Sequence, residues 1–188
     1  MQRLYALIDK ETLLKNEKSL EWVVERAKKL DAYILQYRNK TGTFDEKKED
    51  ILTIKRLCGD IPLVVDDDIT LVKFCDGIHL GQEDILCFIG DIKEAANSVR
   101  HAIGNKIFGL STHNEDEIAE ANFLPVDYIG LGAYRKTSTK DTANILGNRL
   151  DALAKTSKKP VAAIGGVKLY DEFRYAKYIV VNSGLYED

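Results

Sequence analysis

Residues 63–84 read LVVDDDITLVKFCDGIHLGQED, and in that stretch two short apolar runs, Leu63-Val64-Val65 and Gly77-Ile78-His79-Leu80, pass straight into acids. The first run meets Asp66, Asp67 and Asp68, and the second meets Glu83 and Asp84. A solvated loop has little reason to place carboxylates directly behind buried β-branched residues twice in so short a span. A barrel of parallel strands does: its strand bodies are buried, and its functional groups collect at the carboxyl ends of several strands.

The same pattern recurs along the chain. Apolar runs that end in polar or small residues fall at 4–8, 31–40, 61–65, 77–80, 106–111, 127–132, 160–166 and 177–184. Between them, apolar positions recur at helical spacing. Ser19 precedes Trp22, Val23, Ala27 and Leu30, and helices are expected at 44–57, at 92–103 behind a capping Asp91, at 115–122, at 145–154 with an irregular start near Gly147, and in stunted form at 169–176. Eight strands separated by helical segments specify a (β/α)8 TIM barrel, compact and with its last helix missing or very short. The 188 residues are expected to form one domain. A barrel face without a covering helix would leave apolar surface for a second copy to hide, so a homodimer is expected.

Charge and cysteine use narrow the function classes. The net charge is −3 with acids and bases interspersed, which offers no field for nucleic acid and no polybasic membrane surface. Cys58, Cys75 and Cys87 are odd in number and lack CxxC spacing, so a reducing cytoplasmic setting is expected. The opening MQRLYALIDK reads as a strand and a polar break rather than a signal peptide, and no apolar run is long enough to span a bilayer.

The strand ends assemble a mixed cluster. Gln36, Arg38 and Lys40 share one side of an extended segment, a row able to wrap a polyanion. Asp66, Asp67 and Asp84 offer hard oxygen atoms suited to Mg²⁺, which takes its remaining oxygens from water and substrate phosphate. Lys140 adds a further cation. Acids and bases around one mouth are reconciled by a metal bridging them to phosphate. Gly165-Gly166 and Asn182-Ser183-Gly184 follow the seventh and eighth strands, where backbone N–H groups bind phosphate in such barrels, and Thr137 and Thr139 supply hydroxyls. His79, inside an apolar strand, reads as a structural histidine. His113 stands between substrate contact and cap, and Tyr37 and Tyr134 between pocket lining and loop packing. Zinc is not expected, because no closed ligand set is present.

Taken in order, Gln36-Tyr-Arg-Asn-Lys40, His79-Leu-Gly-Gln-Glu-Asp84, Gly109-Leu-Ser-Thr-His113, Tyr128-Ile-Gly-Leu-Gly132, Thr137-Ser-Thr-Lys140 and Ala163-Ile-Gly-Gly166 resemble the successive signatures of thiamine phosphate synthase and its relative, the thiazole tautomerase. The resemblance covers nearly the whole chain and implies a barrel, commonly dimeric. It implies the joining of hydroxymethylpyrimidine diphosphate to carboxythiazole phosphate with release of pyrophosphate. In that reading Asp67 and Asp84 hold Mg²⁺, Arg38, Lys40 and Lys140 hold the diphosphate, and Gln36 and Ser111 face the pyrimidine. Thr137, Thr139, Gly166 and Ser183 hold the thiazole phosphate. In the tautomerase the residue corresponding to His113 moves a proton on the thiazole, and the diphosphate and metal set is incomplete. The complete set here favours the synthase over the tautomerase and over a non-catalytic phosphate-binding barrel. Three positions depart from the synthase pattern: Asp66 replaces an Asn, Asn39 replaces a Glu, and Ala133-Tyr134-Arg135 replaces Pro-Ile-Phe. Arg135 is the candidate to offset the charge of Asp66.

Overall fold

The computed structural model describes residues 2–87, 91–136 and 145–187. Eight strands, β1 (Arg3–Asp9), β2 (Ile34–Arg38), β3 (Leu63–Asp66), β4 (Gly77–Leu80), β5 (Ile107–Thr112), β6 (Tyr128–Leu131), β7 (Val161–Ala163) and β8 (Tyr178–Val181), pair in parallel and in sequence order. The ring closes where β1 meets β8, with Tyr5 opposite Val180 and Ala6 opposite Val181.

Alternation along each strand sorts the side chains into two cores. Tyr5, Leu7, Ile34, Val64, Tyr128, Ala162, Tyr178 and Val180 fill the lumen. The opposite phase, Leu4, Ala6 and Ile8, then Leu35 and Tyr37, then Leu63 and Val65, packs against the helices. Tyr37 therefore faces α3 (Phe44–Leu57), where its hydroxyl bonds Asp50; it packs and does not line the pocket. The lumen phase carries Asp9, Gln36, Arg38, Asp66, His79 and Ser111 at or near the strand ends, so the pleat that buries the aliphatic phase outside also aims these groups at one mouth.

The helices start where local chemistry dictates. The first residues after β1 form α1 (Lys10–Lys15), a helix absent from the sequence reading, capped by Asp9 through Thr12 N. Ser19 caps α2 (Leu20–Lys29), which buries Val23, Val24 and Ala27. Thr43 and Glu46 form a reciprocal capping box on α3. A 3₁₀ segment, Ile69–Phe74, and α4 (Gln82–Leu86) follow β3 and β4. Asp91 caps α5 (Ile92–Ile103) through the N–H groups of Lys93 and Glu94, and Asn114 caps α6 (Glu115–Ala121).

After α7 (Arg149–Ala154), the helix expected over 169–176 does not form. Its backbone donors are taken by carboxylates. Asp151 of α7 accepts Arg174 N and Tyr175 N at 3.1 and 2.9 Å, and Asp171 accepts Lys168 N at 2.8 Å. A segment whose N–H groups are satisfied by side chains gains little from an i to i−4 ladder. Among the described residues no helix is long and apolar enough to cross a membrane.

Candidate active site at the barrel mouth

The three consecutive acids after β3 diverge. Asp66 completes the strand with its side chain in the lumen phase, and its carboxylate accepts Gln36 Nε2 at 2.5 Å and faces Arg38 Nε at 3.2 Å. Asp67 adopts a left-handed backbone, φ 61°, which turns its side chain into the mouth beside Lys40 at 3.8 Å. Such a φ is tolerated by Asp better than by most residues and recurs at functional positions. Asp68 caps the following 3₁₀ segment through Thr70.

Asp66 and Asp67 line a cleft of about 380 Å³ together with Gln36, Arg38, Lys40, Asp84, Ser111, His113, Gly166 and Ser183. Every sequence-selected site residue in the described regions thus meets in one place. Thr137, Thr139 and Lys140 lie outside the described residues.

Arg38 is held from two sides. Its Nη1 donates to Asp9 at 2.5 Å, and Asp9, almost fully buried, also accepts Thr12 N at 2.9 Å and Thr12 Oγ1 at 2.7 Å. Thr12 Oγ1 in turn accepts Asn182 Nδ2 at 3.1 Å, which ties this anchor to the residue after β8. Asp9 escaped the sequence reading as the mere end of an apolar run. Its signal was phase, since it follows Tyr5 and Leu7 at two-residue spacing.

The acids are set against one another. Burial, and then the neighbouring Asp67, push the Asp66 carboxyl upward, against the pull of Arg38 and Lys40. Burial and the facing Asp84 carboxylate, with a hydrogen bond between the two, push Asp67 upward as well. Asp84 is the third residue of α4 and accepts Gly81 N at 3.2 Å, which fixes it toward Asp67. The Asp67 carboxylate, facing that of Asp84 at the edge of the cleft, makes with it a natural seat for a hard divalent cation. Among the described residues no group of three or more acidic, histidine or cysteine side chains gathers to enclose a metal. The donor set therefore fits an ion that keeps waters and shares substrate oxygens, as Mg²⁺ does, and not a closed protein cage.

The far wall is the glycine turn. Gly165 and Gly166 have φ 85° and 69°, and a Cβ on Gly165 would lie 2.5 Å from the Cβ of Ala133. The turn therefore keeps bare backbone facing the cleft. Arg135, expected beside Asp66, is instead on this wall: its fork grips Asp171 at 2.5 and 2.8 Å and Nη1 reaches Gly166 O at 3.0 Å. The charge of Asp66 is met by Arg38, which the strand pleat already points inward. Tyr134 stacks edge-on against Phe173. His113 lines the cleft while its N–H and Nδ1 both bond Glu117.

Beneath the mouth lies a buried polar row that sequence reasoning missed apart from its ends. Tyr5 donates to Gln36 Oε1 at 2.8 Å, Tyr5 and Tyr128 hydroxyls meet at 2.7 Å, and His79 bonds Tyr128 through Nδ1 at 2.9 Å and Ser111 through Nε2 at 3.0 Å. Burial pushes both phenols well above the ordinary tyrosine range, so they stay protonated. Gly109 makes room for the row, because a Cβ there would stand 2.3 Å from Tyr128 Oη and 2.5 Å from His79 Nδ1. His79 is thus both a satisfied interior histidine and part of the cleft wall.

A closed eight-stranded barrel with all of this at the carboxyl ends of its strands defines a (β/α)8 barrel with its polar site in the usual place. Comparison with known proteins is more specific. The model of the family described as thiamine monophosphate synthase matches residues 4–176, and the chain belongs to that family. Thiamine-phosphate synthase of Persephonella marina is 38% identical over 170 residues, spanning 87% of this chain and 76% of that protein. The Vibrio parahaemolyticus enzyme of the same name is 38% identical over 175 residues, 88% and 78% of the respective chains. Among solved structures, thiamine phosphate pyrophosphorylase from Pyrococcus furiosus superposes with a TM-score of 0.78 at 25% identity, covering 96% of this chain and 85% of that one.

Proposed function

We propose that this chain is a Mg²⁺-dependent transferase that joins hydroxymethylpyrimidine diphosphate to carboxythiazole phosphate, releasing pyrophosphate and, from the thiazole carboxylate, carbon dioxide, and forming thiamine phosphate. The observation that carries the reading is the meeting of two elements at one mouth. Asp67 and Asp84 stand beside Arg38 and Lys40 on one side, and the Gly165-Gly166 turn faces them with Ser183 on the other. The first suits a diphosphate with its metal, and the second a phosphate monoester.

Charge development in such a transfer falls on the departing diphosphate, so the demand is for fixed cations and not for a strong base. Arg38 meets that demand because Asp9 and Asp66 hold its guanidinium before any ligand arrives, which removes reorganisation from the moment of reaction. Lys40, more than half exposed and 3.8 Å from Asp67, is a longer-reaching partner for the same phosphates, and Lys140 is assigned the same role. A Mg²⁺ held by Asp67 and Asp84 would neutralise leaving-group charge as a Lewis acid. Gln36 and Ser111 hold the pyrimidine. Thr137, Thr139, Gly166 and Ser183 hold the thiazole phosphate, so that the two rings are aligned and not merely concentrated. Asp66 acts from behind Gln36 and Arg38, and His113 borders the substrate. Cytoplasmic function as a homodimer completes the proposal.

The test is formation of thiamine phosphate by the purified protein from the two phosphorylated substrates with Mg²⁺. Asp84→Ala is expected to lower turnover by about 10²-fold or more. A folded protein that forms no product, or an Asp84→Ala variant with near-normal turnover, overturns the reading.

A further inference from the structure

The interior row joining Asp66 to Ser111 contains more hydrogen-bond contacts than it has ways of arranging its protons. Asp66 Oδ2 faces Arg38 Nε, and Oδ1 accepts Gln36 Nε2. The Gln36 amide then presents its oxygen to Tyr5, which donates its single proton there. Tyr5 has no second proton, so the 2.7 Å contact with Tyr128 requires Tyr128 to donate. Tyr128 has then spent its own proton, and the 2.9 Å contact with His79 requires a proton on Nδ1. A neutral imidazole protonated at Nδ1 has a bare Nε2, which accepts from Ser111 Oγ at 3.0 Å.

We infer that the Asp66 carboxylate fixes the direction of this whole row, so that Ser111 turns its lone pairs toward the cleft and acts as a hydrogen-bond acceptor for the bound ring. Tyr5, Tyr128 and His79 are positioning residues that transmit this order; they need not touch the substrate to do so. The consequence for selectivity rests on the proposed reading that a pyrimidine occupies this end of the cleft. A ring bound there meets Ser111 as an acceptor and offers it an N–H.

Residue 66 is the switch because Arg38 holds one of its two oxygen positions. In Asp66→Asn the guanidinium keeps the amide oxygen on its own side, which turns the NH₂ toward Gln36. Gln36 must then flip, Tyr5 donates to Tyr128, Tyr128 donates to His79 Nδ1, and the imidazole proton moves to Nε2. Every hydrogen bond survives with its direction reversed, and Ser111 becomes a donor.

The measurement is the histidine tautomer by ¹⁵N nuclear magnetic resonance on the substrate-free protein at roughly pH 9, above the ordinary histidine range. Protonated and bare ring nitrogens are well separated in this spectrum. The chain has three histidines, and His101→Gln and His113→Gln assign His79 by elimination. The parent protein is expected to carry its proton on Nδ1 of His79, and Asp66→Asn to carry it on Nε2. A parent His79 protonated on Nε2, or on both nitrogens, overturns the proton order. An Asp66→Asn spectrum still showing Nδ1–H overturns Asp66 as its source. The parent measurement does not need an active enzyme, so a failure here is distinct from a failure to form thiamine phosphate.

Discussion

Replacing Asp9 tests whether Arg38 is anchored from beneath as the geometry indicates. In Asp9→Ala the guanidinium loses its 2.5 Å partner, while Thr12 N and Thr12 Oγ1 lose their acceptor. Breaking a buried ion pair by removing one member costs about 3–5 kcal/mol. Arg38 keeps Asp66 at 3.2 Å, so the cost falls to the bottom of that range or just below it, roughly 2–3 kcal/mol. Loss of the α1 cap adds about 1 kcal/mol. The expected total is about 3–4 kcal/mol, and at about 2–4 °C per kcal/mol for a chain of this size the melting temperature falls by about 6–16 °C. Urea denaturation followed by circular dichroism reads this directly. A double-mutant cycle with Arg38→Met should return a coupling of about 2 kcal/mol or more. A destabilisation of Asp9→Ala below about 1 kcal/mol would refute the reasoning, since it would mean that Arg38 finds equivalent support elsewhere.

The raised carboxyls predict a pH signature with a definite sign. A group whose folded pKa exceeds its unfolded value, about 3.9 for Asp, stabilises the fold below that value and loses the contribution as pH rises through the folded value. For Asp66 and Asp67 both shifts are upward, so parent stability relative to Asp66→Asn should decline as pH rises from about 4 toward neutrality. Parallel stability curves would remove burial as the controlling force. Gly109→Ala forces a methyl into Tyr128 and His79, and overpacking with a broken buried hydrogen bond should cost about 2–5 kcal/mol; a melting temperature within about 2 °C of the parent would contradict the packing described. Arg135→Ala should leave stability within about 1 kcal/mol, because the guanidinium is exposed and Asp171 keeps its bond from Lys168 N, yet raise KM for the thiazole phosphate severalfold with kcat little changed. Unchanged KM would show that the arginine does not steady the Gly165-Gly166 turn.

Much of this architecture could be read from local chemistry alone. The helices at Phe44–Leu57 and Ile92–Ile103 coincide with their expected bounds because Thr43 and Asp91 mark their starts within a single turn. The acids behind β3 and the glycines behind β7 announced the mouth for the same reason: strand ends are short-range features. What was not legible depended on distant partners. The segment 169–176 has helical spacing, but Asp151 claims its backbone donors from another element. Arg135 was paired with Asp66 by charge, yet it lies across the cleft with Asp171, 36 residues away in sequence. Tyr5 and Tyr128 are separated by 123 residues, and nothing local to either reveals that their hydroxyls meet.

The polar latch from Arg38 through Asp9 and Thr12 to Asn182 makes the anion site a product of ring closure. β1 is flanked by β2 on one side and by β8 on the other, so this run of bonds spans the seam where the two ends of the sheet meet. A molecule with β8 undocked keeps its helices and most of its strand pairs but has lost the Asn182 tie behind Thr12 and Asp9, and with it Ser183 from the mouth. Catalytic competence should therefore vanish at lower denaturant than the helical signal, with the seam opening before the rest of the barrel. In this chain the last strand to be made is also the one that arms the first.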